Sequence, residues 1–214
     1  FNQRNGILKG LQNCNENDVI IISDIDEIPN PDKIKEFRDK PGLKVFKQKM
    51  FYYYCNCVNA TAMKGDEYSW YGSVMFFGKD LTTPQSFREL AIKVNRGSKR
   101  NILTKFKSYV YWFLKSLKNP LLKRNDISVI ENGGWHFSYL GGVEKIINKI
   151  ESFAHSEYNN SDFKSPQKIL EAINNGEDIF GRGFKYKYVR VDETFPRYLI
   201  DNKEKYRHLL RNEG

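Results

Sequence analysis

The clearest run of apolar residues lies near the start of the chain. Four consecutive β-branched residues, Val19–Ile22, stand between the polar Asp18 and Ser23. A strand that is apolar at every position is typical of one buried on both faces, as in the parallel sheets of α/β proteins. The run therefore predicts a central, buried strand.

Further apolar patterns extend this picture along the rest of the chain. Helical spacing predicts helices over Asn2–Leu11, Asp32–Arg38, Val143–Phe153, Ser165–Asn174 and Lys203–Leu210. Aromatic-rich runs predict strands over Val45–Tyr54 and Ser73–Phe77. Helices and strands in this order favour an α/β class, and 214 residues are enough for one core, so we expect a single domain over residues 1–214.

Residues 99–124 differ from this pattern because lysines alternate there with aromatic residues. A helix of this composition can lie on an anionic membrane. The favoured alternative is an ordinary helix that packs Tyr109, Trp112, Phe113 and Leu117 into the core and keeps its lysines in water. No apolar run of the sequence approaches the roughly 18–20 residues needed to cross a bilayer.

Composition narrows the classes of partner. With 35 Lys and Arg against 26 Asp and Glu, the net charge is +9, which favours a nucleotide, a phospholipid surface or a nucleic acid. Cys14, Cys55 and Cys57 are too few for a disulfide scaffold and do not form a C-x-x-C zinc pattern. We expect them to be buried or idle thiols in a reducing compartment.

The best-placed polar motif, Asp24-Ile25-Asp26, directly follows the apolar run. Ligands of open α/β sheets bind beyond the carboxyl ends of strands, so this position suits a site. Two carboxylates two residues apart can both address one hard cation, Mn²⁺ or Mg²⁺, which in turn binds phosphate oxygens. The motif therefore predicts a metal-assisted phosphate site.

A second motif, Gly133-Gly134-Trp135-His136, combines features that ligand sites use. Adjacent glycines let the backbone approach a ligand closely, and a tryptophan ring can stack on a sugar or base. A neutral imidazole is a common metal ligand, although a lone histidine is more often structural.

Four segments together resemble glycosyltransferase family 17, which includes bisecting β-1,4-mannosyl-glycoprotein N-acetylglucosaminyltransferases. They are Val19–Pro29, Gly134–Ser138, Phe195–Ile200 and Tyr206–Leu210, and they occur in the family's order. The resemblance implies a GT-A-like nucleotide-sugar transferase fold with a mixed, mostly parallel central sheet. It also implies a UDP-GlcNAc donor, a divalent cation, inversion at the anomeric carbon and transfer to a glycan hydroxyl. Family members have further sequence ahead of the position that matches Phe1, so the first strands of the nucleotide-binding half are expected outside these residues.

The resemblance and the motifs together assign roles to individual residues. We expect the donor to be bound by Asp24, Asp26, Glu27, Gly134, Trp135 and Arg182. We expect the metal to be held by Asp24, Asp26 and His136. Inverting transfer also needs a general base. The candidates for this base are Glu67 and Asp66, in a loop between two predicted strands, and Glu157, with a solvated turn as the alternative role for the first two.

The partner and the compartment depend on the source of the chain. A microbial enzyme would act in the cytoplasm, in contact with an anionic membrane, on a glycolipid or surface glycan. A eukaryotic one would act on protein N-glycans in the Golgi lumen. The segment 99–124 differs from the animal enzymes, and the acceptor therefore stays open between a glycan and a glycolipid.

Two other classes compete with a glycosyltransferase. Haloacid-dehalogenase-type phosphatases also place D-x-D after an apolar strand, but they need Thr or Val where Ile28 stands, and a G-D-x-x-x-D motif that fails here at Trp70. A basic nucleic-acid-binding protein would explain the charge of +9. It would not explain carboxylates at the strand end, because these repel phosphate, so no nucleic-acid partner is expected.

Overall fold

A computed structural model describes residues 2–63, 66–67, 69–97, 111–152 and 158–211. The chain folds as two compact units. Unit 1 comprises Phe1–Gln48 and Trp70–Gly134, and unit 2 comprises Lys49–Ser69 and Trp135–Gly214. The sequence shows no linker at these boundaries.

The strands are short except where they pass from one unit into the other. In chain order they are β1 (Val19–Ile22), β2 (Glu27–Pro29), β3 (Leu43–Tyr52), β4 (Cys57–Asn59), β5 (Ala62–Met63), β6 (Asp66–Glu67), β7 (Ser69–Phe77), β8 (Ile127–Ser138) and β9 (Tyr186–Tyr188). The helices are α1 (Asn2–Asn5), α2 (Pro31–Phe37), α3 (Pro84–Gly97), α4 (residues 111–118), α5 (Gly142–Ser152), α6 (Pro166–Asn175) and α7 (Arg197–Asp201). Short 3₁₀ turns cover Gly6–Leu11, Gly78–Asp80, Pro120–Lys123 and Arg207–Leu209.

The sheet of unit 1 contains both parallel and antiparallel pairs. β1 pairs antiparallel with β7, which in turn lies beside β3. β3 and β8 run parallel, since the Leu43 N–H donates to the Asp126 carbonyl at 3.0 Å and Lys47 meets Glu131 at 2.9 Å further along both strands. The expectation of an α/β fold with a mixed sheet is therefore confirmed.

The expectation of a mostly parallel sheet with β1 at its centre is wrong. The pairs β1–β7, β3–β4 and β4–β9 are antiparallel, and among the described strands β1 stands at the end of the sheet order. Its faces are only partly covered, since Ile20 is buried, Ile21 and Ile22 are half-buried and Val19 is exposed. Ile20 packs on one side against the core cluster that includes Phe87 of α3, and Ile21 packs on the other against the cluster with Phe37 of α2. Apolar faces indicate what covers a strand, not where the strand lies in the sheet.

The core of unit 1 is centred on the face of the sheet that α3 covers. Phe87 of α3 is fully buried, and its ring stacks on Phe76 of β7 with centroids 3.8 Å apart. Leu43, Val45 and Val74 from the strands complete this cluster with Leu90 of α3. This packing anchors α3, which also carries a side chain of the site described below.

Unit 2 packs the antiparallel strands β4 and β9 with helices α5 to α7. Phe51 pairs with Val58 across β3 and β4, and the cluster around Phe51 also contains Phe195 and Leu199. α6 begins after the N-cap Ser165, whose hydroxyl accepts the Lys168 N–H, and ends at Gly176 in the left-handed region, a conformation that glycine adopts at little cost.

The cysteines are free thiols, as expected. Cys55 and Cys57 are buried, and Cys14 is exposed. Burial raises the pKa of Cys55 to about 11 and that of Cys57 to about 12, so both thiols stay protonated at neutral pH.

Three predicted helices differ from the structure. The helix expected over Asn2–Leu11 is α-helical only in α1 and continues as a 3₁₀ helix over Gly6–Leu11. The helix expected over Lys203–Leu210 is instead a series of turns with a 3₁₀ turn at Arg207–Leu209, and the regular helix α7 precedes it. In α4, Trp112 packs against the core of unit 1, but Phe113 and Leu117 are exposed, so the expected burial of these two is wrong. Tyr109 lies outside the described residues, and membrane contact by this segment stays a prediction. No helix within the described ranges is long and apolar enough to cross a membrane.

The stacked pair Phe76–Phe87 leads to a stability prediction. Phe87→Ala should lower the free energy of unfolding by about 3–5 kcal/mol, because it removes a large buried ring and leaves a cavity. The matched control is Phe113→Ala, which truncates an exposed ring and should cost less than about 0.5 kcal/mol. Urea unfolding followed by fluorescence measures both, and equal losses would contradict the described core.

Candidate functional site

A buried carboxylate organises the turn that carries the D-x-D motif. The side chain of Glu27 in β2 is 1% exposed. The Trp70 indole N–H donates to its Oε1 at 2.6 Å, and the Ser73 hydroxyl donates to its Oε2 at 3.0 Å. Both donors lie in β7, so β7 fixes the carboxylate in place.

The same carboxylate also closes the turn itself. The Asp24 N–H donates to Glu27 Oε2 at 3.2 Å, and the Glu27 N–H donates back to the Asp24 carbonyl at 3.0 Å. Ile25 at the tip of the turn is fully exposed. The turn thus holds Asp24 and Asp26 at the surface end of β1, and both side chains stay partly accessible to solvent.

Close packing around Glu27 explains a glycine in β7. A Cβ atom added to Gly72 would lie 1.9 Å from Glu27 Oε1 and 2.5 Å from the Trp70 indole nitrogen. Neither group can move aside without losing the hydrogen bond that joins them. Only glycine therefore leaves room for the Glu27 carboxylate at this point.

Two arginines balance the negative charge of the turn. Arg88 of α3 reaches Glu27 Oε1 at 3.4 Å and Asp24 Oδ2 at 3.7 Å, and its guanidinium lies over the Trp70 ring at 4.8 Å. Arg4 reaches Asp24 Oδ1 at 3.3 Å. The Asp24 carboxylate therefore lies between two guanidinium groups, of which Arg88 is the more buried.

The turn offers few ligands for a cation. No group of three or more His, Cys, Asp or Glu side chains that could hold a metal ion occurs within the described ranges. Glu27 was expected to bind the donor, and this expectation is wrong because hydrogen bonds already occupy its carboxylate. Asp24 and Asp26 remain, and a hard cation that takes one or two carboxylates and completes its shell with phosphate and water, as Mg²⁺ does, fits them.

The space beside Asp24 is small. A cavity of about 10 Å³ is lined by Arg4, Asp24, Gly72 and Arg88, which is room for no more than about one water molecule. A larger ligand has to meet the exposed edge of Asp24 or displace Arg4 from it. Arg4 belongs to the four-residue helix α1 and is partly exposed, so it can be displaced at less cost than Arg88.

Gly134 has a structural role in the sheet. A Cβ atom there would lie 2.1 Å from the Ile28 carbonyl, and the residue has a φ of +137°, which L side chains rarely adopt. The close approach that its glycine permits is to the backbone of β2. The expected role of Gly134 in donor binding is therefore replaced by a role in pairing β2 with β8.

The neighbouring tryptophan and histidine belong to unit 2. Trp135 packs in the cluster with Phe51 and Phe195, and its indole N–H donates to the Thr194 carbonyl at 2.9 Å, so it is a core residue and not the expected stacking surface. His136 is also buried. The expectation that His136 shares a cation with Asp26 joins residues of separate units and stays a prediction.

Arg182 is committed to a partner within unit 2. Its guanidinium donates to Asp178 at 2.6 and 2.9 Å and to the Tyr52 hydroxyl at 3.2 Å. Burial disfavours the charge, but the hydrogen bond to Asp178 and the attraction of Tyr52 outweigh it and raise the pKa of Arg182 above its usual value. The expected phosphate clamp is therefore an internal ion pair.

The three candidate bases are only partly described. Asp66 and Glu67 form β6, which pairs antiparallel with β5, so they lie in a hairpin strand and not in the expected loop. The backbone alone is described there. Glu157 lies outside the described residues, and the identity of a base stays a prediction.

Gly72 gives a direct test of the buried carboxylate. Gly72→Ala should lower the free energy of unfolding by about 1–3 kcal/mol, because the added methyl group displaces the Glu27 carboxylate and leaves its donors unpaired. Gly10→Ala is the matched control, since nothing lies within 4 Å of a Cβ atom there. Urea unfolding of both variants provides the comparison, and a harmless Gly72→Ala would show that Glu27 is not held as described.

Comparison of the chain with protein-family models, with curated proteins and with solved structures finds no match. The functional interpretation therefore depends on the geometry of the site and on the sequence motifs.

Proposed function

We propose that the chain is an inverting, metal-dependent glycosyltransferase of family 17 that transfers N-acetylglucosamine from UDP-GlcNAc to a glycan or glycolipid hydroxyl. One observation carries this proposal. The turn locked by Glu27 holds Asp24 and Asp26 at the end of β1, with the guanidinium groups of Arg4 and Arg88 against Asp24. Carboxylates for a cation and fixed positive charges at one point suit a diphosphate.

The chemistry of the reaction explains why both kinds of group are useful. A nucleoside diphosphate gains negative charge as the sugar leaves it, and preorganised positive charge lowers that barrier. A divalent cation held by Asp24 and Asp26 would supply part of this charge. Arg4 would supply most of the rest, because a guanidinium donates to two phosphate oxygens at once.

The two arginines would have different roles. Arg88 is bound to the buried Glu27, and removing it would leave that carboxylate uncompensated, so it acts mainly by positioning the turn. Arg4 contacts the partly exposed Asp24 carboxylate and the Gln85 side chain, the latter at 3.1 Å. Arg4 is therefore the arginine that can exchange Asp24 for a phosphate group.

Asp26→Asn should abolish sugar transfer and leave the fold intact. An amide is a poorer ligand for a hard cation than a carboxylate, so the rate should fall roughly a thousandfold or more. The thermal melt should stay close to that of the unmodified chain or rise slightly, since one of two neighbouring like charges is removed. The measurement is UDP release from UDP-GlcNAc across a Mn²⁺ titration, beside a thermal melt.

Asp39→Asn is the matched control, because it removes an exposed carboxylate elsewhere in unit 1 that pairs with Arg38 at 3.4 Å. It should keep normal turnover at every Mn²⁺ level. Normal turnover in Asp26→Asn would refute the metal site, and a collapsed melt would assign Asp26 a structural role. Release of phosphate from a phosphomonoester, with no transfer from any nucleotide sugar, would favour the phosphatase class instead.

A further inference from the structure

Unit 2 contains a basic cavity that the proposed reaction does not use. Its volume is about 680 Å³, and it lies between the chain that follows β9 and the turns near the carboxyl end. Its charged lining consists of the cations Arg190, Lys203, Arg207 and Arg211 and the single carboxylate Glu204. The cavity therefore has a formal surplus of positive charge.

Three of the four cations form no ion pair with a described residue. They are Arg190, Lys203 and Arg207, and all three side chains are exposed. The Arg211 guanidinium is held at 3.1 Å by the Tyr188 hydroxyl and at 3.0 Å by the Asn174 amide oxygen, both neutral. The surplus charge is therefore available to a ligand.

The floor of the cavity is rigidly built. The buried Asn56 side chain donates to the Val189 carbonyl at 3.0 Å and to the Arg211 carbonyl at 2.7 Å. Its oxygen accepts the Arg211 N–H at 3.0 Å. One amide thus joins the two chain segments that carry the cations, and the Arg211 guanidinium also lies over the Tyr188 ring at 5.0 Å. Such bracing keeps the cations together despite their repulsion.

We propose that this cavity binds a phosphate-bearing ligand, with the guanidinium groups on the phosphate and the apolar lining on the group that carries it. Arginine matches phosphate oxygens with paired N–H donors, and three arginines line one cavity here. Val189, Val191 and Leu210 give the remaining wall an apolar surface. The volume lies within the range of about 300–1,000 Å³ typical of small-molecule sites. This proposal does not depend on the proposed transferase reaction.

Two sources of the phosphate group share this chemistry. One is a nucleoside diphosphate such as UDP, and the other is the diphosphate headgroup of a glycolipid acceptor. The first test uses inorganic pyrophosphate as the probe, by isothermal titration calorimetry of the full chain at 150 mM NaCl with EDTA. EDTA removes divalent cations, so metal-mediated binding at Asp24 and Asp26 does not contribute. Substitutions in the cavity then separate failure of this proposal from failure of the transferase proposal.

The unmodified chain should bind pyrophosphate saturably, and Arg207→Gln and Arg190→Gln should each weaken binding by about tenfold or more, the loss expected for a hydrogen bond to a charged group. Glu204→Gln should strengthen binding about two- to fivefold, because it removes the repelling carboxylate. A variant that merely unfolds cannot give this gain.

The matched control is Arg197→Gln, which removes an exposed arginine of unit 2 that pairs with Asp201 outside the cavity. It should change the dissociation constant less than about twofold. No saturable binding to the unmodified chain, or equal losses in Arg197→Gln and Arg207→Gln, would overturn the proposal. Binding of single-stranded RNA without any binding of pyrophosphate would also overturn it. Displacement of bound pyrophosphate by UDP or by a short-chain alkyl diphosphate then shows whether the ligand is a nucleotide or a lipid headgroup.

Discussion

The hydrogen-bonded burial of the Glu27 carboxylate is the constraint on which the candidate site depends. A buried carboxylate is costly unless donors surround it, and here an indole, a hydroxyl, a backbone N–H and a guanidinium do so. These donors come from β7, from the turn itself and from α3. Because each of them must be in place at once, the network specifies the conformation of the turn and thereby the direction of Asp24 and Asp26.

The network also divides the acidic residues of the motif by role. Glu27 is fully engaged inside the unit, so it shapes the turn and cannot also hold a cation. Asp24 is neutralised by Arg4 and Arg88 at 3.3–3.7 Å, distances at which a partly exposed ion pair contributes little to stability. Because these ion pairs contribute little free energy, a cation and a phosphate group can replace them at a small energetic cost. The rigid network around Glu27 and the exchangeable ion pairs of Asp24 together support the proposed phosphate site.

Local patterns predicted part of this arrangement and missed the rest for identifiable reasons. Residues close together in the sequence are enough to predict the strand at Val19–Ile22, the turn after it and the α/β class. Arg88 does not, because it meets Glu27 from 61 residues away and nothing in the pattern of α3 marks it. Gly72 in the apolar β7 was a usable signal, since glycine inside a strand often marks a close approach. The Gly134 motif was misjudged for a related reason, because its close approach is to Ile28 and not to a ligand.

The two units differ in how their charged side chains are paired, which the net charge of the chain does not show. A net charge of +9 predicts an anionic partner but no location. In unit 1 the arginines beside the D-x-D turn are matched by carboxylates, so that turn needs a cation before it attracts a diphosphate. In unit 2, Arg190, Lys203 and Arg207 form no ion pair within the described ranges, so the cavity that they line would attract an anion without a metal. Anion binding by the two units should therefore differ in its response to divalent cations, because two neighbouring carboxylates, Asp24 and Asp26, stand at the site in unit 1 and a single one, Glu204, lines the cavity in unit 2.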